Sequence, residues 1–537
     1  MAIAAKKDLE ARQYDVETAF LNALREGHAP VTCALPDGFK KSGVCAEIER
    51  ALYGLRDSPL LWYREFSTTL QRLGLTPSPE EPCLFYDEQR TVILMFFVDD
   101  LLLFYHREHQ SKADQLIYRL KGAYELKDQG EVSWFLGIRV IRDRSKRQII
   151  LAHDSYIEKI ATRFGLANDA YVPPTPLGTE ELVSNSGIAS KEQIKGYQER
   201  IGSILYTAVM IRPDVAFAAS LLSKFLTNPS AKHIKAANRV IRYLYHTRFL
   251  AIVYGGVSEE AQVLLIAGDA SFADDPETRR SSQGYIMTLF GGAIVWKAAR
   301  QATVTTSTTK AELLALEHTA KEAMALKRLF HDLRLELGQT WDIFCDNQQT
   351  IRLVVGENER ITTRLRHVDV QNMWLRQEQS RGSFNVTYLP TAKMPADGLT
   401  KALPRQQFEH FRSLLNLQDL RQETTTAVAA AAAGADQGSA QQGPAPAHER
   451  RQGHRQERPA APAAAAAAAA PPVPPLLLPL APGAHEPSPE GGPPPMITVS
   501  TFSRAQERGG KQNIRGEGHR FRAPPRGARQ QDGRWQG

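Results

Sequence analysis

A chain of 537 residues that is 42% hydrophobic and 23% charged is too long for one core and too apolar for wholesale disorder, so it reads as several globular domains. Its net charge of +7 is unevenly placed: residues 1–420 carry 52 Lys and Arg against 50 Asp and Glu, residues 421–537 carry 14 against 9, which excludes binding of polyanions by bulk charge of the body. Cys33, Cys45, Cys83 and Cys345 lack C-x-x-C spacing and His partners at zinc distance, which excludes a disulfide framework and a structural zinc. With no apolar leader and no bilayer-length apolar run, the expectation is an intracellular protein, cytoplasmic or nuclear, neither secreted nor membrane-bound.

In chain order, residues 2–12 read as a short helix, followed at once by a strand through Tyr14-Asp15-Val16. Pro30, Pro36 and Gly38 mark loops between residues 22 and 41, and helical periodicity covers residues 46–55 and 59–73. The second of these helices gathers Leu61, Trp62, Phe66, Leu70 and Leu73 on one side. Apolar runs at residues 91–98 and 101–104 then flank Asp99-Asp100, the pattern of a buried β-hairpin with two acids at its turn. One turn Asp is ordinary, because its side chain caps nearby backbone N–H groups. Two adjacent carboxylates between apolar runs repel each other unless a cation lies between them, which makes this pair a candidate metal site.

A helix over residues 112–124, strands over 134–140 and 148–151 and a helix over 154–164 come next. Pro173-Pro174-Thr175-Pro176 is a stiff break, and residues 179–192 read as a linker. Helices follow over residues 197–211, 213–226 and 231–247, with Arg212-Pro213-Asp214 as a helix-start turn. A strand over residues 263–266 opens an α/β pattern that runs to about Leu399. From residue 421 onward, alanine runs, Pro-rich blocks and an Arg/Gly/Gln-rich end predict a disordered tail, because such composition buries too little apolar surface to offset ordering entropy.

The α/β unit contains four spaced acids. Asp269 stands behind Ile266-Ala267-Gly268, Glu312 in Thr309-Lys310-Ala311-Glu312, Asp346 behind Ile343-Phe344-Cys345, and Asp369 in Arg366-His367-Val368-Asp369. Local readings exist for each: Thr309 to Glu312 spells a capping box, Asp346-Asn347 fits an N-cap, and a strand-end Asp is a frequent turn former. Four such coincidences in one small unit favour a shared use.

Tyr14-Asp15-Val16-Glu17-Thr18-Ala19-Phe20-Leu21-Asn22, Leu35-Pro36-Asp37-Gly38-Phe39, the run from Ala51 to Pro59 (ALYGLRDSP), Leu61-Trp62-Tyr63, Phe97-Val98-Asp99-Asp100 and Trp134-Phe135-Leu136-Gly137-Ile138, in that order, resemble the reverse transcriptase of copia-type LTR retrotransposons. The order of the four later acids is similar to ribonuclease H of the same class, with Gly284-Tyr285, Val295-Trp296-Lys297, Tyr388-Leu389-Pro390-Thr391 and Ala396-Asp397-Gly398-Leu399-Thr400-Lys401 in support. The resemblance covers roughly residues 1–420. The fold it implies is an α+β polymerase palm and thumb with truncated fingers (residues 1–177), a helical connection or tether (178–255), an α/β ribonuclease H-like domain (256–420) and the disordered tail (421–537).

By that resemblance Asp15 and Asp99 hold two Mg2+, with Mn2+ as an alternative, and Asp100 completes the cluster; one metal lowers the pKa of the primer 3′-hydroxyl and the other steadies the leaving pyrophosphate. Phe20 matches a steric gate selecting dNTPs, and Gly54, Arg56 and Pro59 match the segment that contacts template and incoming nucleotide. The residues alone also admit Phe20, Tyr53 and Trp62 as core aromatics. In the second domain the resemblance implies that Asp269, Glu312, Asp346 and Asp369 bind two Mg2+ for cleavage of the RNA strand of an RNA–DNA hybrid, with His367 positioning substrate. Lys310 stands where the family usually has Glu. The partners implied are an RNA template, an RNA–DNA hybrid and dNTPs, with oligomeric state open. Only 14 residues precede Asp15, where the family has Lys- and Arg-rich fingers that grip the triphosphate, so the expectation is a piece of a longer polyprotein whose polymerase site is short of cations. An inactive remnant that at most binds nucleic acid and a ribonuclease H-only nuclease remain alternatives. The Arg-rich tail offers phosphate contacts but matches no family element.

Overall fold

The structure is a computed structural model in which residues 1–178, 180–256, 263–356 and 366–421 are described, apart from the side chains of residues 366–369. The tail expected from residue 421 lies, beyond Arg421, outside the described residues.

Helix α1 (Ala2–Lys6) leads into β1 (Glu10–Val16). The helix predicted over residues 2–12 stops at Lys6 because Glu10 to Val16 find a strand on either side, and that pairing outweighs local propensity. Strands β2 (Thr32–Ala34) and β3 (Cys45–Glu47) form a small ribbon. The helix predicted over residues 46–55 is therefore absent: Cys45 to Glu47 pair across the ribbon, and Gly54 turns the chain in the left-handed region at φ +95°. Helix α2 (Ser58–Arg72), the short β4 (Thr76–Pro77), β5 (Leu84–Tyr86), β6 (Val92–Phe97), β7 (Asp100–Tyr105), α3 (Gln110–Lys121) and β8 (Leu126–Glu131) complete the first unit. The strands make an antiparallel six-stranded sheet in the order β4-β5-β6-β7-β1-β8. Side chains alternate across it. Tyr14, Val16, Leu101, Leu103 and Tyr105 join Trp62, Phe66 and Leu70 of α2 and Leu116 and Leu120 of α3 in one core, leaving Gln13, Asp15 and Asp100 to the other face.

One strand was expected over residues 134–140. The chain instead makes a two-residue hairpin between β9 (Trp134–Phe135) and β10 (Ile138–Asp143), with Leu136 at φ +49° and Gly137 at φ +75°, the backbone twist that tight hairpins need. Strand β11 (Gln148–Ala152) and α4 (Asp154–Arg163) follow. Helix α5 (Lys191–Met210) begins six residues before its predicted start because Ser190 and Gln193 form a reciprocal capping box. The helix predicted over residues 213–226 is α6 (Ala216–Leu222) flanked by 3-10 turns, and α7 (Ala231–His246) leads to β12 (Leu250–Gly255).

At the start of that broken helix Arg212 and Asp214, both 0% exposed, form a bidentate ion pair of 2.8 and 2.7 Å. Tyr243 donates to Asp214 at 2.7 Å, and Arg212 donates to the Thr247 carbonyl and hydroxyl oxygens. Asp214→Ala would strand a buried guanidinium, so a loss of about 3–5 kcal/mol is expected in equilibrium denaturant unfolding. A loss near zero would show that water reaches the site.

The remaining elements are β13 (Leu264–Ser271), β14 (Ser282–Leu289), β15 (Gly292–Arg300), α8 (Thr308–Asp332), β16 (Trp341–Cys345), α9 (Gln348–Val355), α10 (Arg366–Ser380), β17 (Phe384–Tyr388), α11 (Arg405–Leu414) and β18 (Leu417–Asp419). Their five-stranded sheet runs β15-β14-β13-β16-β17, antiparallel through β13 and parallel beyond it. Helix α8 crosses β13 closely enough that a Cβ on Gly268 would meet the Thr319 hydroxyl at 2.3 Å. A third sheet, β18-β12-β11-β10-β9, joins segments far apart in sequence. The stretch read as a tether thus contributes β12 to a sheet, and its helices share one core with the β15-β14-β13-β16-β17 sheet.

Candidate active site

Two groups of carboxylates gather, one at the end of the β1–β7 pair and one around Asp269 of β13. In the first, Asp15 and Asp100 are direct cross-strand partners of β1 and β7, and Asp99 sits in the adjoining turn with its carbonyl accepting from Val16 N at 2.9 Å. The turn is strained, since Val98, β-branched, has φ +60°, a conformation that costs on the order of 1–3 kcal/mol. Trp62 holds it: the indole Nε1 of α2 donates to the Val98 carbonyl at 2.7 Å. Gln13 Nε2 donates to Asp100 at 3.2 Å.

Burial, and then the charge of Asp99, raise the pKa of Asp15, with Lys127 across the strand pair opposing. Burial also raises Asp100, against the hydrogen bond from Gln13 and together with the charges of Asp99 and Asp15. These carboxylates repel one another, and no three donor atoms at this end of the sheet come within 4.8 Å among the described residues. Phe20 lies in a 3-10 turn (Ala19–Asn22), 8% exposed and with its ring 4.6 Å from that of Tyr53. Tyr53, expected as a core residue, is 54% exposed and feels the charges of Asp99 and Asp15 after burial. Trp62 is core as expected and also the turn's support. Gly54 and the exposed Arg56 precede α2, and Pro59 lies in its first turn.

The second group converges further. Asp269 lies inside β13 rather than behind a strand, 3% exposed, and the Thr400 hydroxyl donates to it at 2.5 Å. Glu312 is in the second turn of α8. The capping role goes to Ser307, whose side chain accepts from Lys310 N, so Glu312 is free of it. Likewise Asn347, not Asp346, caps α9, accepting from Thr350 N at 3.0 Å. Asp346 is left to accept from the Thr391 hydroxyl at 2.8 Å. Donor atoms of Asp269, Asp346 and Asp397 lie within 4.8 Å of one another, as do those of Glu312, Cys345 and Asp346, so Asp346 belongs to both sets. The Asp397 carboxylate pairs with Lys401 at 2.5 Å. Lys310 turns its ammonium to the Thr306 hydroxyl, at the start of the helix.

Asp369 and His367 are on α10, and their side chains lie outside the described residues. Asp397 was not singled out from sequence as a site residue. The signal was its place in Ala396-Asp397-Gly398-Leu399-Thr400-Lys401, where Thr400 and Lys401 also serve the cluster.

Burial, then the charges of Asp269 and Asp346, push Glu312 up to about 9, and burial raises Asp269 to about 6. Burial works to lower Lys401, but its pair with Asp397 and the charges of Asp269 and Asp346 outweigh that and raise it. The Glu312 Oε2 is buried and unpartnered. An orphaned carboxylate oxygen close to the carboxylates of Asp346 and Asp269 fits a divalent cation such as Mg2+.

Residues 1–178 match the protein family described as "Reverse transcriptase (RNA-dependent DNA polymerase)". Over 434 residues the chain is 33% identical to the retrovirus-related Pol polyprotein from transposon TNT 1-94 of Nicotiana tabacum, covering 78% of this chain and 32% of that one. It is 31% identical over 314 residues to the putative transposon Ty5-1 protein of Saccharomyces cerevisiae, covering 57% of this chain and 99% of that one. A solved structure of the foamy viral protease-reverse transcriptase in complex with double-stranded DNA is similar at 13% identity and a TM-score of 0.35, over 74% of this chain and 57% of that one. The chain spans about a third of the length of the tobacco polyprotein. It belongs to the copia-type retrotransposon Pol family, with residues 1–178 as its reverse transcriptase part.

Proposed function

We propose that this chain extends a DNA strand on an RNA template at Asp15, Asp99 and Asp100, and cleaves the RNA strand of the resulting hybrid at Asp269, Glu312, Asp346 and Asp397. The observation that carries the proposal is the buried Glu312 carboxylate, whose Oε2 has no partner and which lies near the charges of Asp269 and Asp346, an arrangement that is costly without a cation. Two Mg2+ at each site, with Mn2+ as the alternative, would neutralise phosphoryl charge and activate the primer 3′-hydroxyl or a water.

The chain's own groups do the rest. The strained Val98 turn, held by Trp62, presents Asp99 beside Asp15. Phe20 and Tyr53 form an aromatic wall near those acids, suited to checking the sugar of an incoming dNTP. Thr400 and Thr391 fix one oxygen each of Asp269 and Asp346 and leave the other oxygens for metal.

The test is primer extension on an RNA template and cleavage of a labelled RNA–DNA hybrid, each with Mg2+ and with excess chelator. Metal-dependent activity in both is expected, and absence of both would overturn the proposal. A nuclease-only reading has one observation in its favour, that around the second site two trios sharing Asp346 each come within 4.8 Å whereas the acids of the first site form no such trio. Cleavage without extension would select it.

A further inference from the structure

The nuclease-like unit meets the palm at the C-terminal end of α8, where one residue, Asp332, gathers most of the bonds. Asp332, the last residue of α8, receives the Ser78 hydroxyl at 2.6 Å and the Tyr86 hydroxyl, one on each carboxylate oxygen. Arg90 Nε donates to the Asp332 backbone carbonyl at 3.1 Å, its other nitrogen reaches the carboxylate at 3.6 Å, and its guanidinium lies 4.1 Å over the Tyr86 ring. One turn earlier Arg328 pairs with Glu80 at 3.0 Å. Ser78 and Tyr86 are 5% and 1% exposed, so this contact is dry where its hydroxyls meet the carboxylate. Such charge-assisted bonds are strong and directional.

The two elements that meet here are rigid and carry the two acid sites at their far ends. Glu312 lies 20 residues before Asp332 on the same unbroken helix, about 30 Å at 1.5 Å per residue. Tyr86 pairs with Ile93 at the start of β6, and Asp99 lies six residues on, past the other end of that strand, about 20 Å away. On the side of the α5–α7 helices, Lys224 and Asp275 pair at 2.6 Å and Trp296 Nε1 donates to the Ala208 carbonyl at 2.7 Å. The nuclease-like sheet is anchored on that side by these bonds and by a shared core, and the Asp332 contact adds an anchor at the far end of α8.

We infer that Asp332 is a latch residue that fixes the spacing between the polymerase and nuclease sites, and so sets where the RNA strand is cut relative to the growing DNA 3′ end. Asp332 touches no substrate and acts by positioning α8. The inference rests on the proposed two-site function. A duplex engaged at Asp99 by its 3′ end reaches Glu312 at one register while the latch is closed, and at many registers when it is open.

The experiment uses the full chain and a 5′-labelled RNA annealed to a DNA with a single recessed 3′ end, with cut positions mapped at nucleotide resolution. Wild type is expected to cut within a narrow window behind the DNA 3′ end. Asp332→Ala and, separately, Tyr86→Phe, which deletes one oxygen and leaves the fold, are expected to broaden that window at least twofold. Their rates on a hybrid too short to span both sites should stay within twofold of wild type, a combination that mere loss of stability would not produce. An unchanged window in both variants would overturn the latch. Wild-type cuts unrelated to the 3′ end would also overturn it, and primer extension measured on the same sample would tell whether the polymerase reading falls with it.

Discussion

Asp269→Asn is expected to lower hybrid cleavage by about a thousandfold or more while primer extension by the same protein is retained. The substitution keeps the shape of a side chain that is 3% exposed, and the Thr400 hydroxyl can still donate to the remaining carbonyl oxygen, so folding is preserved. What it removes is a negative charge at the centre of the cluster formed with Asp346 and Asp397. A divalent cation there is held by that charge, and losing several kcal/mol of cation binding translates to a factor of about 10³ in rate. Asp99→Asn makes the reciprocal prediction: extension lost on the same scale, short-hybrid cleavage intact. The two losses should separate cleanly because the sites share no side chain. Hybrid cleavage that survives Asp269→Asn would remove the nuclease assignment, and extension that survives Asp99→Asn would remove the polymerase one.

Chemistry that sits in a local pattern was legible in the sequence, and chemistry made by long-range contact was not. The β6–β7 hairpin announced itself because apolar runs of strand length bracket Asp99 and Asp100, and α2 because Leu61, Trp62, Phe66 and Leu70 recur at helical spacing. Residues 46–55 misled because helical periodicity cannot register that Cys45 to Glu47 pair with Thr32 to Ala34, or that Gly54 is left-handed. Tyr53 looked like core for the same reason, yet the loop it rides on places it half-exposed beside the acids. Asp397 was hidden by distance, 128 residues from the Asp269 it joins. The Asp332 contact joins residues 254 and 246 apart, and a surface Asp at a helix end has no sequence mark that separates it from any other.

Glu312→Gln is expected to change how stability depends on pH as well as to abolish cleavage. In the folded, metal-free protein Glu312 is raised to about 9 from 4.5, so the native state keeps its proton through a range where the unfolded chain has released it. Stability therefore falls as pH rises from about 4.5 to about 9, by up to about 1.4 kcal/mol per pH unit, and is independent of this group below 4.5. Asp269, raised to about 6 from 3.8, adds to the same slope at its acid end. Gln is neutral at every pH and close in shape, so the variant should lose most of the slope. At pH 8 it should be more stable than metal-free wild type by on the order of 2 kcal/mol, once relaxation of the site and solvent entry are allowed for. Adding Mg2+ should reverse the ranking: the cation competes with the proton, so its stabilisation of wild type grows with pH, while the variant gains little. Thermal unfolding of both proteins from pH 5 to pH 9, with Mg2+ and with chelator, measures all of this together. If the variant keeps the wild-type slope, the Glu312 carboxylate is not the group that the cluster leaves uncompensated, and its burial gives the cluster no call for a cation.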